Sequence, residues 1–183
     1  MWQAGLPASR SCMTTKILLT GRPGCGKTTL IKRVVNELSL PAGGFYTEEI
    51  RERGERVGFK IVTLDGQEAV LAHVDFKTPE RLGKYGLDLS ALETIAVAAV
   101  RAAACARQLV VIDEIGPMET RSAIFREAVN EALESGAPVL ATITARSFPF
   151  INAIKRRTDL TIIEVRPNNR DQLVTELAEQ LMA

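Results

Sequence analysis

The sequence predicts an α/β fold: a mostly parallel sheet flanked by helices, with an antiparallel meander at about 45–74. Three observations predict it. An apolar run, Ile17-Leu18-Leu19, leads through a glycine-rich turn into a helix-forming segment at 30–38. The run Leu109-Val110-Val111-Ile112 is apolar at every position, as in a central parallel strand buried on both faces. Between them lie the β-rich segments 45–50, 56–64 and 68–72, separated by turn signals at Gly54 and at Asp65-Gly66.

The remaining elements follow in order. Residues 40–44, Leu-Pro-Ala-Gly-Gly, read as a turn, and 75–89 as an irregular stretch in which Gly83 and Gly86 flank Lys84-Tyr85. That stretch reads equally as a loop near the ligand or as a plain connector. Ser90 is placed to cap a helix running to about Ala106, with Glu93 as its capping-box partner. A helix spans about 121–134 and Gly136 stops it; 138–144 is a strand; a short helical segment follows Pro149; 161–165 is a further strand. The last helix starts near Asn169, with Gln172 at the capping-box position and Leu173, Leu177 and Leu181 along one face.

At 183 residues the chain reads as one domain at 13–183, preceded by a flexible extension at 1–12. A chain of this size buries roughly 70% of its unfolded surface, so a core forms without disulfide or metal staples. Charge is balanced, 23 Lys and Arg against 22 Asp and Glu, and gives no pointer to nucleic acid or membrane beyond a local basic run at Lys155-Arg156-Arg157. Cys12, Cys25 and Cys105 are scattered and show no metal-binding spacing, which fits a reducing cytoplasm. No secretory segment and no run of membrane-spanning length occurs. The single histidine, His73, reads as a solvated strand-end residue.

The turn after the first strand carries the strongest signal. Gly21-Arg22-Pro23-Gly24-Cys25-Gly26-Lys27-Thr28, followed by Thr29, fits the pattern glycine, any four residues, then Gly-Lys-Ser/Thr. Its glycines allow torsions that turn the loop's N–H groups inward as an anion nest, and the helix opening near Gly26 adds unpaired N–H groups and a positive dipole end. Residues 21–29 are therefore the expected nucleotide-binding loop. Lys27 is expected between the β- and γ-phosphates, and the Thr28 hydroxyl on Mg²⁺. Cys25 reads as a tolerated variable position.

The Leu109–Ile112 run ends in Asp113-Glu114. A carboxylate at the tip of a strand beside such a loop holds Mg²⁺, which assigns Asp113 to the metal. The next carboxylate, Glu114, can orient and deprotonate an attacking water. This pairing suits a P-loop NTPase of the additional-strand, RecA-like class, in which another strand lies between the loop strand and the Asp strand. Thr142 and Thr144 end the following strand and are candidate γ-phosphate sensors. Arg146, Arg156 and Arg157 are candidate charge stabilisers.

Several blocks occur in one order: Gly21 to Leu30, Gly44-Phe45-Tyr46-Thr47-Glu48-Glu49-Ile50-Arg51, Arg56-Val57-Gly58-Phe59, Gly83-Lys84-Tyr85-Gly86-Leu87-Asp88-Leu89, Ile112-Asp113-Glu114-Ile115-Gly116-Pro117-Met118-Glu119 and Asn169-Arg170-Asp171. Together they resemble the THEP-type nucleoside-triphosphatases, the cancer-related nucleoside-triphosphatase family, over nearly everything from residue 14 onward. The resemblance implies a RecA-like fold and Mg²⁺-dependent hydrolysis of nucleoside 5′-triphosphates to diphosphate and phosphate, slow and tolerant of the base. It supports Lys27 and Thr28 on phosphates and Mg²⁺, Asp113 on Mg²⁺ and Glu114 as base. One position departs: Pro117 stands where the family pattern has Lys, which removes a charge beside the carboxylates that Arg121 or Arg146 could replace.

Three functions compete on this reading. The first is an NTPase acting on ATP, GTP, CTP, UTP and dTTP as a monomer. The second is a nucleotide or nucleoside kinase, for which 146–157 would form a basic lid. The third is a nucleotide-gated binding module using the 155–157 basic run as its handle.

Overall fold

The computed structural model describes residues 14–182; the expected extension at 1–12 lies outside them. The chain forms β1 (Lys16–Thr20), α1 (Lys27–Glu37), β2 (Ala42–Glu52), β3 (Glu55–Thr63), β4 (Glu68–His73), β5 (Arg81–Leu82) and β6 (Tyr85–Leu87). A long helix then begins as α2 (Leu89–Ala91), passes through a π-helical stretch at Leu92–Val97 and ends as α3 (Ala98–Cys105). The second half holds β7 (Leu109–Ile115), a 3₁₀ turn (Glu119–Arg121), α4 (Ala123–Glu134), β8 (Val139–Ile143), α5 (Pro149–Lys155), β9 (Thr161–Glu164) and α6 (Arg170–Met182).

The strands form one sheet in the order β5-β6-β4-β3-β2-β7-β8-β1-β9. Pairings among β2, β7, β8, β1 and β9 are parallel, and those from β2 outward through β3, β4, β6 and β5 are antiparallel. Strand β8 separates β1 from β7, so the additional-strand order expected from Asp113-Glu114 is present. The expected meander occupies β2 to β4.

Two apolar layers cover the two faces. The period of two in a strand assigns neighbours to opposite sides. Leu18, Val110 and Ile112 join one layer with Phe45, Phe125 and Val129, whereas Ile17, Leu19, Leu109 and Val111 join the other with Leu30, Val34, Leu173 and Leu177. Helices α1 and α6 thus cover one face, and the long helix, α4 and α5 the other. Phe45 and Phe125 meet edge to face at 6.1 Å in the first layer, and Arg101 spans α3 and α4 through two bonds to Glu131.

Local expectations failed in four places, each for a traceable reason. Residues 42–44 are not a turn but the start of β2, paired in parallel with Leu109–Val111. The glycines serve close approach rather than chain reversal. A Cβ on Gly44, whose φ is +112°, would sit 2.0 Å from the Val111 carbonyl oxygen, and one on Gly43 would sit 2.9 Å from the Ala103 methyl. Residues 81–87, expected to be irregular, form the β5–β6 hairpin at the sheet edge far from β1, anchored by Tyr85 against Phe59 and Arg56. The long helix is capped by Asp88, which accepts from the Ala91 N–H at 3.0 Å, and not by Ser90; Glu93 instead accepts from Ser122 Oγ at 2.6 Å. In α6, Gln172 bonds Glu176 within the helix instead of reaching back to Asn169, which ties the preceding loop to Glu164 and Arg166. His73 ends β4 as expected, but its side chain is 18% exposed and not solvated, and its Nδ1 accepts from the Asp75 N–H.

Gly44→Ala should lower stability by at least about 2 kcal/mol, because the methyl meets backbone that cannot retreat and the torsion disfavours any Cβ. A denaturant midpoint that does not move would show that β2 and β7 can separate at this point.

Candidate active site

The site forms where β1, β8 and β7 end and α1 begins. The turn between β1 and α1 carries Gly21, Gly24 and Gly26, all with positive φ. Gly26 caps α1 in a left-handed conformation with no side-chain acceptor, so the first N–H groups of the helix are left to an anion from outside. Lys27 Nζ donates back across the loop to the carbonyl oxygen of Gly21 at 3.2 Å. Cys25 is buried, whereas Arg22, Pro23, Gly24 and Thr29 are exposed.

Thr28, in the first turn of α1, reaches the tip of β7. Its Oγ1 donates to Asp113 Oδ2 at 2.5 Å, and Thr142 Oγ1, from β8, donates to Asp113 Oδ1 at 2.5 Å. Thr47 Oγ1, from β2, donates to the Asp113 carbonyl at 2.8 Å. Two neighbouring elements therefore fix the carboxylate and a third its main chain, in a residue that is 3% exposed. Burial pushes its pKa up; the two threonine hydroxyls and the charges of Lys27 and Lys32 work in the opposite direction. A buried carboxylate with only hydroxyl donors is short of positive charge, and its partners are all oxygens, the donor type of a hard divalent cation.

A bulge makes room for the second carboxylate. The β7–β8 register runs to Ile112↔Ala141 and resumes at Ile115↔Ile143, so β7 spends three residues where β8 spends two. Alternation is broken across Asp113 and Glu114, and Ile115 returns to the face of Val110 and Ile112. Glu114 is half-buried, and burial raises its pKa. Lys27 and Arg146 oppose that rise, while Asp113 adds to it. Of the two arginines that could stand in for the charge absent at Pro117, Arg146 is the one whose field reaches Glu114; Arg121 is tied to Glu80 at 3.1 Å.

A cavity of about 630 Å³ adjoins the loop, lined by residues 22–25 on one side and 164–168 after β9 on the other. The basic segment expected near the phosphates is largely committed elsewhere. Lys155 donates to the Thr144 carbonyl, and Arg157 pairs with Asp159 and Glu134. Residues 149–155 are the packed helix α5, with Ile151 and Ile154 in the core, and so do not form a free-standing lid.

A family model described as NTPase matches residues 16–178. The chain belongs to this NTPase family. It is 50% identical over 166 residues to the nucleoside-triphosphatase THEP1 of Thermotoga sp. (strain RQ2), covering 91% of this chain and 95% of that protein. It is 36% identical to the cancer-related nucleoside-triphosphatase of Homo sapiens, over 90% of this chain and 95% of the human one. The crystal structure of THEP1 from the hyperthermophile Aquifex aeolicus superposes with a TM-score of 0.84 at 35% identity, covering 92% of this chain and all of that one. The solution structure of the human protein gives 0.78 at 35% identity, over 91% and 96% of the two chains.

Two further residues of this NTPase belong to the site's surroundings and carried no expected role. Arg170, at the start of α6, lies over Gly26: a Cβ there would meet its Nη1 at 2.8 Å. It adds positive charge behind the loop, and only its place in the block Asn169-Arg170-Asp171 drew notice in the sequence. Glu119 is buried beside Gly116 and Glu114. Burial lifts its carboxyl from 4.5 to about 8, with the charges of Glu114 and Asp113 adding to the rise. The place of Glu119 at the end of the block Ile112 to Glu119 drew notice in the sequence, but nothing local there marks its burial beside Glu114.

The raised Glu119 group sets a pH dependence. Between its ordinary value and about 8 the folded protein keeps a proton that the unfolded chain releases, so stability falls as pH rises through that window. Glu119→Gln should flatten this fall and raise Tm by a few degrees at pH 8.5 relative to the parent, with a smaller difference at pH 5. Parallel thermal unfolding curves at the two pH values would contradict the assignment.

Proposed function

We propose that the chain is a Mg²⁺-dependent hydrolase of nucleoside 5′-triphosphates that releases the diphosphate and phosphate. The observation that carries this reading is the 2.5 Å contact between Thr28 Oγ1 and Asp113 Oδ2, with Lys27 and Glu114 next to them in sequence. One hydroxyl from the phosphate loop and one buried carboxylate meet where a loop-bound triphosphate places its β- and γ-oxygens.

In this reading residues 21–29 cradle the phosphates through backbone N–H groups, and Lys27 turns from the Gly21 carbonyl to the β- and γ-phosphates. Thr28 and Asp113 hold Mg²⁺, which neutralises charge on the phosphate oxygens when bound. Thr142 keeps Asp113 aimed by occupying its other oxygen. Glu114, its pKa raised by burial, accepts a proton from the water that attacks the γ-phosphorus as the bond to the β–γ bridging oxygen breaks. Arg146 lies where its charge acts on the same group. The cavity between residues 22–25 and 164–168 takes the nucleoside. Its lining combines two prolines, Gly24, Cys25 and Val165 with the exposed polar side chains of Arg22, Glu164, Arg166 and Asn168, a mixed surface that supports tolerance of the base across ATP, GTP, CTP, UTP and dTTP. A single polypeptide carries every group named, in keeping with action as a monomer. Two free thiols among the described residues, Cys25 and Cys105, fit a reducing cytoplasm, and no helix there is long and apolar enough to cross a membrane.

Glu114→Gln should lower kcat for phosphate release about 100-fold or more while the affinity for a non-hydrolysable triphosphate stays within about threefold. Chelation of divalent cations should abolish release by the parent. Full activity in the variant would remove Glu114 from the base role. Release rates across the five triphosphates should agree within about tenfold, whereas dependence on one base, or release only after an acceptor is added, would refute the broad hydrolase reading.

A further inference from the structure

A second cavity, of about 540 Å³, lies at the C-terminal ends of β7 and β8. The nucleoside cavity lies at the ends of β1 and β9, so the two flank the phosphate loop on opposite sides along the sheet. The second cavity is lined by Leu82, Pro117, Arg126, Arg146, Phe148 and Phe150, among others. Its volume is within the range of about 300–1,000 Å³ typical of small-molecule sites.

Its chemistry is specific. Arg121, at the rim, is neutralised by Glu80. Arg126 and Arg146 form no ion pair among the described residues. Arg126 uses only its Nη1, on the Thr120 and Arg121 carbonyls, which leaves the rest of its guanidinium open. Phe148 immediately precedes α5 and is 37% exposed, a large aromatic side chain left in water beside these charges. Two unneutralised guanidinium groups, an open aromatic face and apolar walls from prolines and Leu82 select a ligand with both an anionic group and a flat ring. The site adjoins Glu114, because Pro117 follows the carboxylates by three residues and the charge of Arg146 reaches Glu114.

We propose that this cavity is a second small-molecule site that binds an aromatic monophosphate of the nucleoside monophosphate class. The phosphate lies against Arg126 and Arg146, and the base against Phe148. Occupancy is simultaneous with a triphosphate in the phosphate loop, since none of the lining residues belongs to residues 21–29.

Calorimetric titration of AMP into the protein, presaturated with Mg²⁺ and adenylyl imidodiphosphate, tests this. The expected result is one AMP bound per chain in addition to the imidodiphosphate. Phe148→Ala and Arg126→Gln should each weaken AMP about tenfold or more without changing imidodiphosphate affinity, and inorganic phosphate alone should bind more weakly than AMP. Phe148 is exposed, so its substitution keeps the test decisive if loss of the Arg126 carbonyl bonds harms folding. Lys27→Ala separates this site from the phosphate loop: it should lose the imidodiphosphate and keep AMP. Absence of AMP binding under saturation, or AMP binding indifferent to both variants, overturns the proposal. Imidodiphosphate binding indifferent to Lys27→Ala would count against the phosphate-loop reading alone.

Discussion

The structure depends on one buried carboxylate. Asp113 is withdrawn from water at the tip of β7 and held through both oxygens by Thr28 and Thr142, and through its carbonyl by Thr47. Burying that charge is costly unless hydrogen bonds or a cation compensate. Hydroxyls from α1 and β8 supply part of the compensation, and each comes from an element that the same contact aligns. The phosphate loop, the additional strand and the carboxylate strand are thereby locked in one mutual geometry. If β8 were not between β1 and β7, no Thr142 could reach the outer oxygen. The additional strand therefore positions chemistry as well as extending the sheet.

Much of this was legible in the sequence, and the exceptions have physical causes. The loop at 21–29 announces itself because its spacing encodes a backbone path, and Asp113-Glu114 because two charges end an uninterrupted apolar run. The family blocks extended that reading to the whole domain. What failed was local reasoning about residues whose partners are distant. Gly43 and Gly44 look like a turn because glycine is common in turns, yet here their missing side chains let β2 lie against Val111 and Ala103. Ser90 and Glu93 satisfy the pattern of a capping box, but the charged Asp88 captures the helix end and Ser122 captures Glu93. Thr142 drew notice as a phosphate sensor, whereas its hydroxyl is directed at Asp113. Arg170 and Glu119 act through three-dimensional proximity, which sequence spacing does not encode.

The surroundings of Glu114 show a graded use of charge. Lys27 and Arg146 favour its ionised form, burial and Asp113 oppose it, and the more deeply buried Glu119 lies behind it. A group pulled in both directions sits closer to neutrality than a surface carboxylate, which is the condition under which a proton can move either way. Pro117 brings no charge to that balance, which Lys27 and, from a neighbouring loop, Arg146 supply.

The bulge in β7 has a wider meaning for how such a site can change over generations. A strand has a parity: every odd residue faces one way and every even residue the other. One additional residue placed between Ile112 and Ile115 interrupts that count and then lets it resume, so Ile115 still reaches the layer that Val110 and Ile112 occupy. Asp113 keeps its place in the register with β2, and one position of the carboxylate pair is interpolated into the strand instead of being substituted within it. The identity of Glu114 can change without re-threading any apolar residue downstream, whereas exchanging Asp113 would release the helix and the strand that its oxygens bind. One strand thus carries a position free to vary beside one that the scaffold holds fixed.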